Sequence, residues 1–273
     1  MGLAGQKISF LGGGAMGEAL LAGLLRQGET KASEIFVSDV AEPRLDYLKD
    51  KYGVNVTKRN RDAIEPADIV ILALKPFVII DALQEAAAAA RPEQTFISIA
   101  AGVAIAQLQA CFAGRPIPVI RAMPNTPCLV GEGAAALSPG EFAKDAHLAK
   151  ALAIFAAAGR AVVLPEEQLD VVTGLSGSGP AYMFMLLEGL TDGAVRLGLP
   201  RDVAALLSAQ TMLGAAKMVL DTGEHPGKLK DMVTTPGGTT IAGLFALEEG
   251  GVRASMMKAV EAAAKRSAAM AKK

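Results

Sequence analysis

Histidine and cysteine are nearly missing from this chain, with two of each among 273 residues. Cys111 and Cys128 stand far apart, without the paired spacing of a ligand set, and His147 and His225 complete no cluster. A His/Cys metal site is therefore excluded and no metal is expected. The same scarcity removes a Ser-His-Asp arrangement, because neither histidine lies in a nucleophile context. A reduced, cytoplasmic compartment is the expectation. Charge is as uninformative as it can be: 27 Lys plus Arg against 28 Asp plus Glu give a net charge of -1. Such a balance implies neither a nucleic-acid partner nor an anionic membrane surface. No uninterrupted apolar run approaches the roughly 20 residues that span a bilayer. Gly5, Gln6 and Lys7 interrupt the N-terminal segment before a signal-peptide core could form. Aromatic residues make up only 4%, so alanine and leucine must supply the bulk, which suits closely packed helices. The basic end formed by Lys265, Arg266, Lys272 and Lys273 reads as complementing a helix dipole.

What the chain does have is apolar content, 51% of residues, and a glycine loop. Lys7-Ile-Ser-Phe-Leu-Gly-Gly-Gly-Ala-Met-Gly17 runs as a short strand into a turn, and Ala19-Leu-Leu-Ala-Gly-Leu-Leu25 continues as a helix. Gly12, Gly14 and Gly17 fit G-x-G-x-x-G, and the order strand, turn, helix gives that pattern its specificity. Gly12 permits the tight turn, Gly14 admits a pyrophosphate, and Gly17 lets the helix lie close on the strand. The first N–H groups of that helix, at its positive dipole end, would face the phosphates. A glycine-rich corner with no ligand is the bland alternative.

Five further apolar runs read as strands: Ile35 to Ser38, Val54 to Val56, Ala67 to Leu74, Thr95 to Ile99 and Pro118 to Arg121. Helices are predicted around Pro43 to Tyr52, from Pro76 through the Ala86 to Ala90 tract, and near Ile105 to Cys111. Repeated βα units of this kind imply a parallel sheet with helices on both faces. Ala134 to Leu137, a helix over Glu141 to Ala158, and Ala161 to Leu164 extend it. After Pro165 strands give way to helical periodicity. Pro200 starts a helix that sets Val203, Leu206, Leu207, Leu213 and Leu220 on one face, and Gly223 stops it. A final helix runs from Val252 to about Met270. The reading is two domains, 1–165 and 166–273. Gly189, Gly193, Gly214 and Gly243 inside helical stretches imply close helix–helix approach, which leans towards oligomerisation.

Asp39 ends the second strand 22 residues after Gly17, the place for a carboxylate on an adenosine ribose, which favours NADH. Two other readings stand beside it: Ser38 with Arg44 or Arg59 takes a 2′-phosphate and favours NADPH, or Asp39 merely caps the next helix. Ala73-Leu-Lys-Pro76, Ala100-Ala-Gly102 and Arg121-Ala-Met-Pro-Asn-Thr-Pro127 follow the fourth, fifth and sixth strands. Carboxyl ends of strands line the crevice of an open α/β sheet, so the three loops belong to one site. In the helical half, Thr173-Gly-Leu-Ser-Gly-Ser-Gly-Pro-Ala-Tyr182 and Val233-Thr-Thr-Pro-Gly-Gly-Thr-Thr-Ile241 each read as opening a helix with free N–H groups, suited to a carboxylate. With no strong general acid at hand, an imine is a better substrate than a carbonyl, since it is more readily protonated.

These segments, in this order, resemble those of the pyrroline-5-carboxylate reductase family over essentially the whole chain. The resemblance implies an α/β fold: a Rossmann-type doubly wound parallel sheet followed by an all-helical C-terminal dimerisation domain that interlocks with its twin. It implies a homodimer, in many members assembled further into a decamer. The reaction implied is NADPH- or NADH-dependent reduction of 1-pyrroline-5-carboxylate to L-proline. Implied cofactor contacts are Leu11, Gly12, Gly13, Gly14, Ala15, Met16, Ser38, Asp39, Asn60, Ala73, Leu74, Lys75, Pro76, Ala100, Ala101 and Gly102. The substrate carboxylate would rest on Gly238, Thr239 and Thr240 beside Thr235, with the Thr240 hydroxyl, the candidate catalytic group, on the ring nitrogen. Gly17 stands where many relatives have alanine. The related β-hydroxyacid dehydrogenases carry a catalytic lysine beyond a similar glycine segment; here that place holds Met183, which speaks against alcohol chemistry.

Overall fold

Ile69-Val-Ile-Leu72 is fully buried, and its side chains alternate between two clusters: Ile69 and Ile71 join one, Val70 and Leu72 the other. That alternation is the pleat's period of two. A strand apolar at every position is covered on both faces, as in the middle of a parallel sheet. The computed structural model, which describes residues 2–270, builds the fold around it; Lys272 and Lys273 lie outside the described residues.

Eight strands form one sheet: β1 (Ile8–Leu11), β2 (Ile35–Ser38), β3 (Asn55–Thr57), β4 (Ile69–Leu72), β5 (Thr95–Ser98), β6 (Val119–Met123), β7 (Gly133–Pro139) and β8 (Gly159–Val163). Their order is β3-β2-β1-β4-β5-β6-β7-β8. The first six are parallel, β7 is antiparallel to β6, and β8 is parallel to β7. The order 3-2-1-4-5-6 reverses between β1 and β4, which is the topological switch point of a dinucleotide-binding sheet. Strand direction at β7 was not legible in the sequence.

Helices α1 (Ala15–Arg26), α2 (Glu42–Tyr52), α3 (Asn60–Ile64), α4 (Pro76–Ala86), α5 (Ile105–Ala110), α6 (Asp145–Ala156) and α7 (Leu169–Val172) accompany the sheet. Pro76 opens α4 at a position where a missing N–H costs nothing. The helix expected to run through the alanine tract ends as α-helix at Ala86, and Ala87–Ala89 is a 3₁₀ turn. Five-residue α3 escaped the sequence reading, because so short a helix repeats no apolar period. On one face of the sheet α1 and α6 approach closely: a Cβ on Gly23 would stand 2.8 Å from the Ala157 carbonyl oxygen. On the other face Phe96 and Phe112 meet edge to face at 4.9 Å.

Contacts divide the described residues into two units, 2–178 with 262–270, and Gly179–Glu261. The second is helical throughout: α8 (Gly179–Arg196), α9 (Arg201–Thr222), α10 (Pro226–Met232), α11 (Thr239–Glu249) and most of α12 (Val252–Met270). Gly223 terminates α9 in the left-handed conformation, φ +66°, as the stop signal predicts. Only Thr191, Ala204 and Ser208 are buried within this unit. The face of α9 read from the sequence, with Leu206, Leu207, Leu213 and Leu220, is more than half exposed. By length and composition α9 is apolar enough to cross a membrane, which the sequence reading did not anticipate.

Candidate active site

The turn after β1 is held by backbone. Gly12 adopts φ +101° and donates its N–H to Ser38 O at 2.8 Å. A Cβ there would stand 2.5 Å from the Ala73 carbonyl oxygen, and one on Gly17 would stand 2.7 Å from the Gly12 carbonyl oxygen. Both glycines are thus required by close approach of chain segments. Gly14 differs. Nothing lies within 4 Å of the Cβ it lacks, and it caps α1 with no side chain of its own. The first N–H to close back into the helix is that of Glu18, on Gly14 O at 2.9 Å. The amides of Ala15, Met16 and Gly17 precede it in the first turn, where a helix offers its N–H groups no carbonyl one turn back, the arrangement that holds a phosphate at a helix N-terminus.

That cradle opens on a cavity of about 370 Å³ lined by Gly14, Ala15, Met16, Ala73 to Pro76, Ile99, Ala100, Ala101, Met123, Pro124, Thr126 and Leu129. Three loops that the sequence set at the carboxyl ends of β1, β4 and β5 therefore meet. Met123 ends β6, and Pro124 and Thr126 come from the proline-bracketed segment that follows it, flagged as a group but not residue by residue. Gly102 lines two smaller neighbouring cavities. Leu11 is fully buried and is present through its backbone, its carbonyl accepting from Ala73 N–H at 2.8 Å. Lys75 caps α4 with an exposed side chain.

At the end of β2, Asp39 accepts from the N–H of Gly13 at 2.8 Å and of Ala41 at 3.0 Å. Asp39 does not cap α2, which opens on Ala41 with no side-chain cap; with two bonds accepted, its carboxylate keeps about two of its four lone-pair sites for a ribose. Ser38 is buried and donates its hydroxyl to Asn60 Oδ1 at 2.7 Å. Arg59 pairs with Asp62 at 2.8 Å. The guanidinium of Arg44 donates to the Gly13 carbonyl and to Glu18. Glu18 also accepts from Tyr52 at 2.7 Å, Lys51 at 3.0 Å and Tyr47 at 3.1 Å. Burial pushes its pKa up, but the hydrogen bonds from Tyr52, Arg44, Lys51 and Tyr47 outweigh that and bring it down to about 2. Sequence reasoning missed this network, whose members lie up to 34 residues apart.

In the second unit, Thr235 and Gly238 to Thr240 form the entry to α11. Gly237 takes φ +66°, and Gly238 N–H donates to Thr235 O at 3.1 Å. A Cβ on Gly238 would stand 2.4 Å from Thr235 Oγ1, so the hydroxyl lies against bare backbone. Ala242 is the first N–H to close into the helix, on Gly238 O at 3.4 Å, so Thr239 and Thr240 fall in the first turn, where N–H groups have no carbonyl one turn back within the helix. The Thr173 segment corrects the sequence reading. Thr173–Gly177 is a π-helical turn between α7 and α8, and Ser178 N–H donates to Thr173 O at 2.8 Å. Its N–H groups are engaged in a continuing helix and do not form an open anion nest.

A family model for pyrroline-5-carboxylate reductase dimerisation matches residues 166–270, and one for NADP oxidoreductase, coenzyme F420-dependent, matches residues 7–102. The pyrroline-5-carboxylate reductase of Methanosarcina acetivorans is 47% identical, covering 98% of this chain and 99% of that one. The Escherichia coli enzyme of that name is 40% identical over 98% and 99%. This chain belongs to the pyrroline-5-carboxylate reductase family. Among solved structures of that family, the one from Coxiella burnetii superposes with a TM-score of 0.93 at 36% identity, covering 98% of this chain and 99% of its own. The Plasmodium falciparum structure, with NADP bound, gives 0.88 at 31% identity over 99% and 100%. For a pyrroline-5-carboxylate reductase of this kind, the cavity beside Gly14 is where residues and fold coincide: it sits at the switch point, and the residues present fit a nicotinamide dinucleotide.

Proposed function

We propose that this chain reduces 1-pyrroline-5-carboxylate to L-proline with NADPH or NADH, the last step of proline biosynthesis. The open phosphate cradle at Gly14, in a chain of this family, is the observation that carries the reading. A bound reduced nicotinamide supplies the hydride, delivered to the C=N carbon of the ring, while the ring nitrogen gains a proton. The chain's own work is to hold and orient. The α1 amides and the Gly12 to Met16 turn take the pyrophosphate, and Asp39 with Ser38 and Asn60 frames the adenosine end. Ala73 to Pro76 and the small residues Ala100, Ala101 and Gly102 leave room for the nicotinamide. Amides of Gly238, Thr239 and Thr240, with Thr235, receive the substrate carboxylate, and the Thr240 hydroxyl donates to the ring nitrogen.

A homodimer with interlocked helical domains, open to further assembly into a decamer, completes the proposal, with a functional boundary near residue 165. It is supported by the second unit, whose Phe184, Leu206, Phe245 and Met257 are each at least 64% exposed in one chain. Surfaces of that size are covered by a partner. The same need accounts for the apolar length of α9 without a bilayer. Free Cys111 and Cys128 suit a cytoplasmic location. The test is direct: purified protein is mixed with pyrroline-5-carboxylate and each reduced coenzyme, and loss of nicotinamide absorbance is followed. Proline forming in step with coenzyme oxidation is expected, and no oxidation with either coenzyme would refute the assignment.

A further inference from the structure

The network around Glu18 is more elaborate than a helix contact needs. Glu18 lies in the first turn of α1, directly behind the phosphate cradle, with a side chain 15% exposed. Arg44, on α2, is 27% exposed and bridges Glu18 and the Gly13 carbonyl. The amide of the same Gly13 donates to Asp39. Arg44 therefore stands one residue away from the carboxylate that ends β2, the position that meets the adenosine 2′ substituent. Left to itself, a guanidinium there would pair with a 2′-phosphate. Here its Nε is held by a backbone carbonyl and one Nη by a carboxylate, with the Tyr47 ring centroid 5.0 Å from its Cζ, so the group is fixed against the glycine turn. Lys51, the next basic group along α2 to reach this cluster, is drawn to Glu18 as well, over the rings of Tyr47 and Tyr52.

We propose that Glu18 selects the coenzyme: by holding Arg44 against the glycine turn it leaves Asp39 as the charged group that meets the adenosine ribose, so that NADH is bound more tightly than NADPH. The inference rests on the dinucleotide reading above and goes beyond it in naming which dinucleotide and which residue decides. Asp39 accepts from a ribose diol and repels a phosphate. Glu18 touches neither group and acts through Arg44, which makes it a positioning residue.

Equilibrium binding of NADH and NADPH, by quenching of nicotinamide fluorescence or by calorimetry, tests this without turnover. Wild type is expected to bind NADH the more tightly. Glu18→Gln is expected to tighten NADPH about tenfold by freeing a charge-assisted contact, with NADH altered less than about threefold. Adding Arg44→Met to Glu18→Gln should abolish the gain. Wild type preferring NADPH would overturn the proposal without variants. So would an unchanged ratio in a folded Glu18→Gln protein, or a gain that survives Arg44→Met, since another cation would then be responsible. Binding of neither coenzyme to wild type would overturn the dinucleotide reading, and the selector with it.

Discussion

Three glycines of one fingerprint have different tasks, and each substitution should separate them. Gly12→Ala adds a Cβ at φ +101° and 2.5 Å from the Ala73 carbonyl, so it should cost about 1–3 kcal/mol of stability whether or not a ligand is present. Gly14→Val has room for its Cβ, since nothing lies within 4 Å of that position. Its melting temperature should stay near wild type while dinucleotide binding is lost, because the branched side chain fills the space a pyrophosphate needs. A Gly14→Val protein that binds coenzyme normally would remove the cradle from the mechanism. Thr240 is a different case, a hydroxyl at a helix entry with no protein partner required to place it. For Thr240→Ala we expect kcat to fall about 100-fold with coenzyme binding unchanged. Wild-type kcat would show that the proton reaches the ring nitrogen from elsewhere.

At the scale of elements, the sheet was legible because most of its strands are largely apolar runs of four to seven residues bounded by Gly, Pro or charge, and because β4 is apolar at every position. Its loops were legible as a set, since topology puts carboxyl ends on one edge. What the sequence hid depends on tertiary partners. The π turn at Thr173–Gly177 looks like a glycine-rich helix start, and only its long-range setting keeps the helix continuous. Glu18, Arg44, Lys51 and the two tyrosines carry no common period, so their meeting follows only from the packing of α2 on α1. That packing has an acid limb. Glu18 titrates at about 2 in the folded chain against an ordinary 4.5, so its stabilisation is complete above pH 4.5 and is lost as pH falls towards 2. Glu18→Gln should therefore be less stable than wild type at neutral pH by about 1–3 kcal/mol. The gap should close between pH 4.5 and 2 in denaturant titrations. A gap that is constant with pH would mean the carboxylate is not what holds α2.

For the whole molecule, the two units divide the physics between them. Unit one has its own core on both sheet faces, with large side chains such as Phe10, Phe96 and Phe155 wholly buried. Unit two has helices and caps but almost nothing inside, so its hydrophobic stabilisation must come from burial that one chain does not provide. The even spread of alanine, leucine and glycine through the helical half made oligomerisation readable in the sequence, while the absence of an internal core was not. Leu206 and Leu213 lie two turns apart on α9 and are 69% and 56% exposed. Replacing both with Glu puts four charges into a two-fold interface, a change that a partnered face does not tolerate. The expected result is monomer by light scattering, with proline formation lost because the substrate loops of unit two no longer have a stable home. NADH binding should persist, because the cradle belongs wholly to unit one. If the double variant keeps both its oligomeric mass and its activity, α9 is not the face that joins the chains, and its exposed leucines need another occupant.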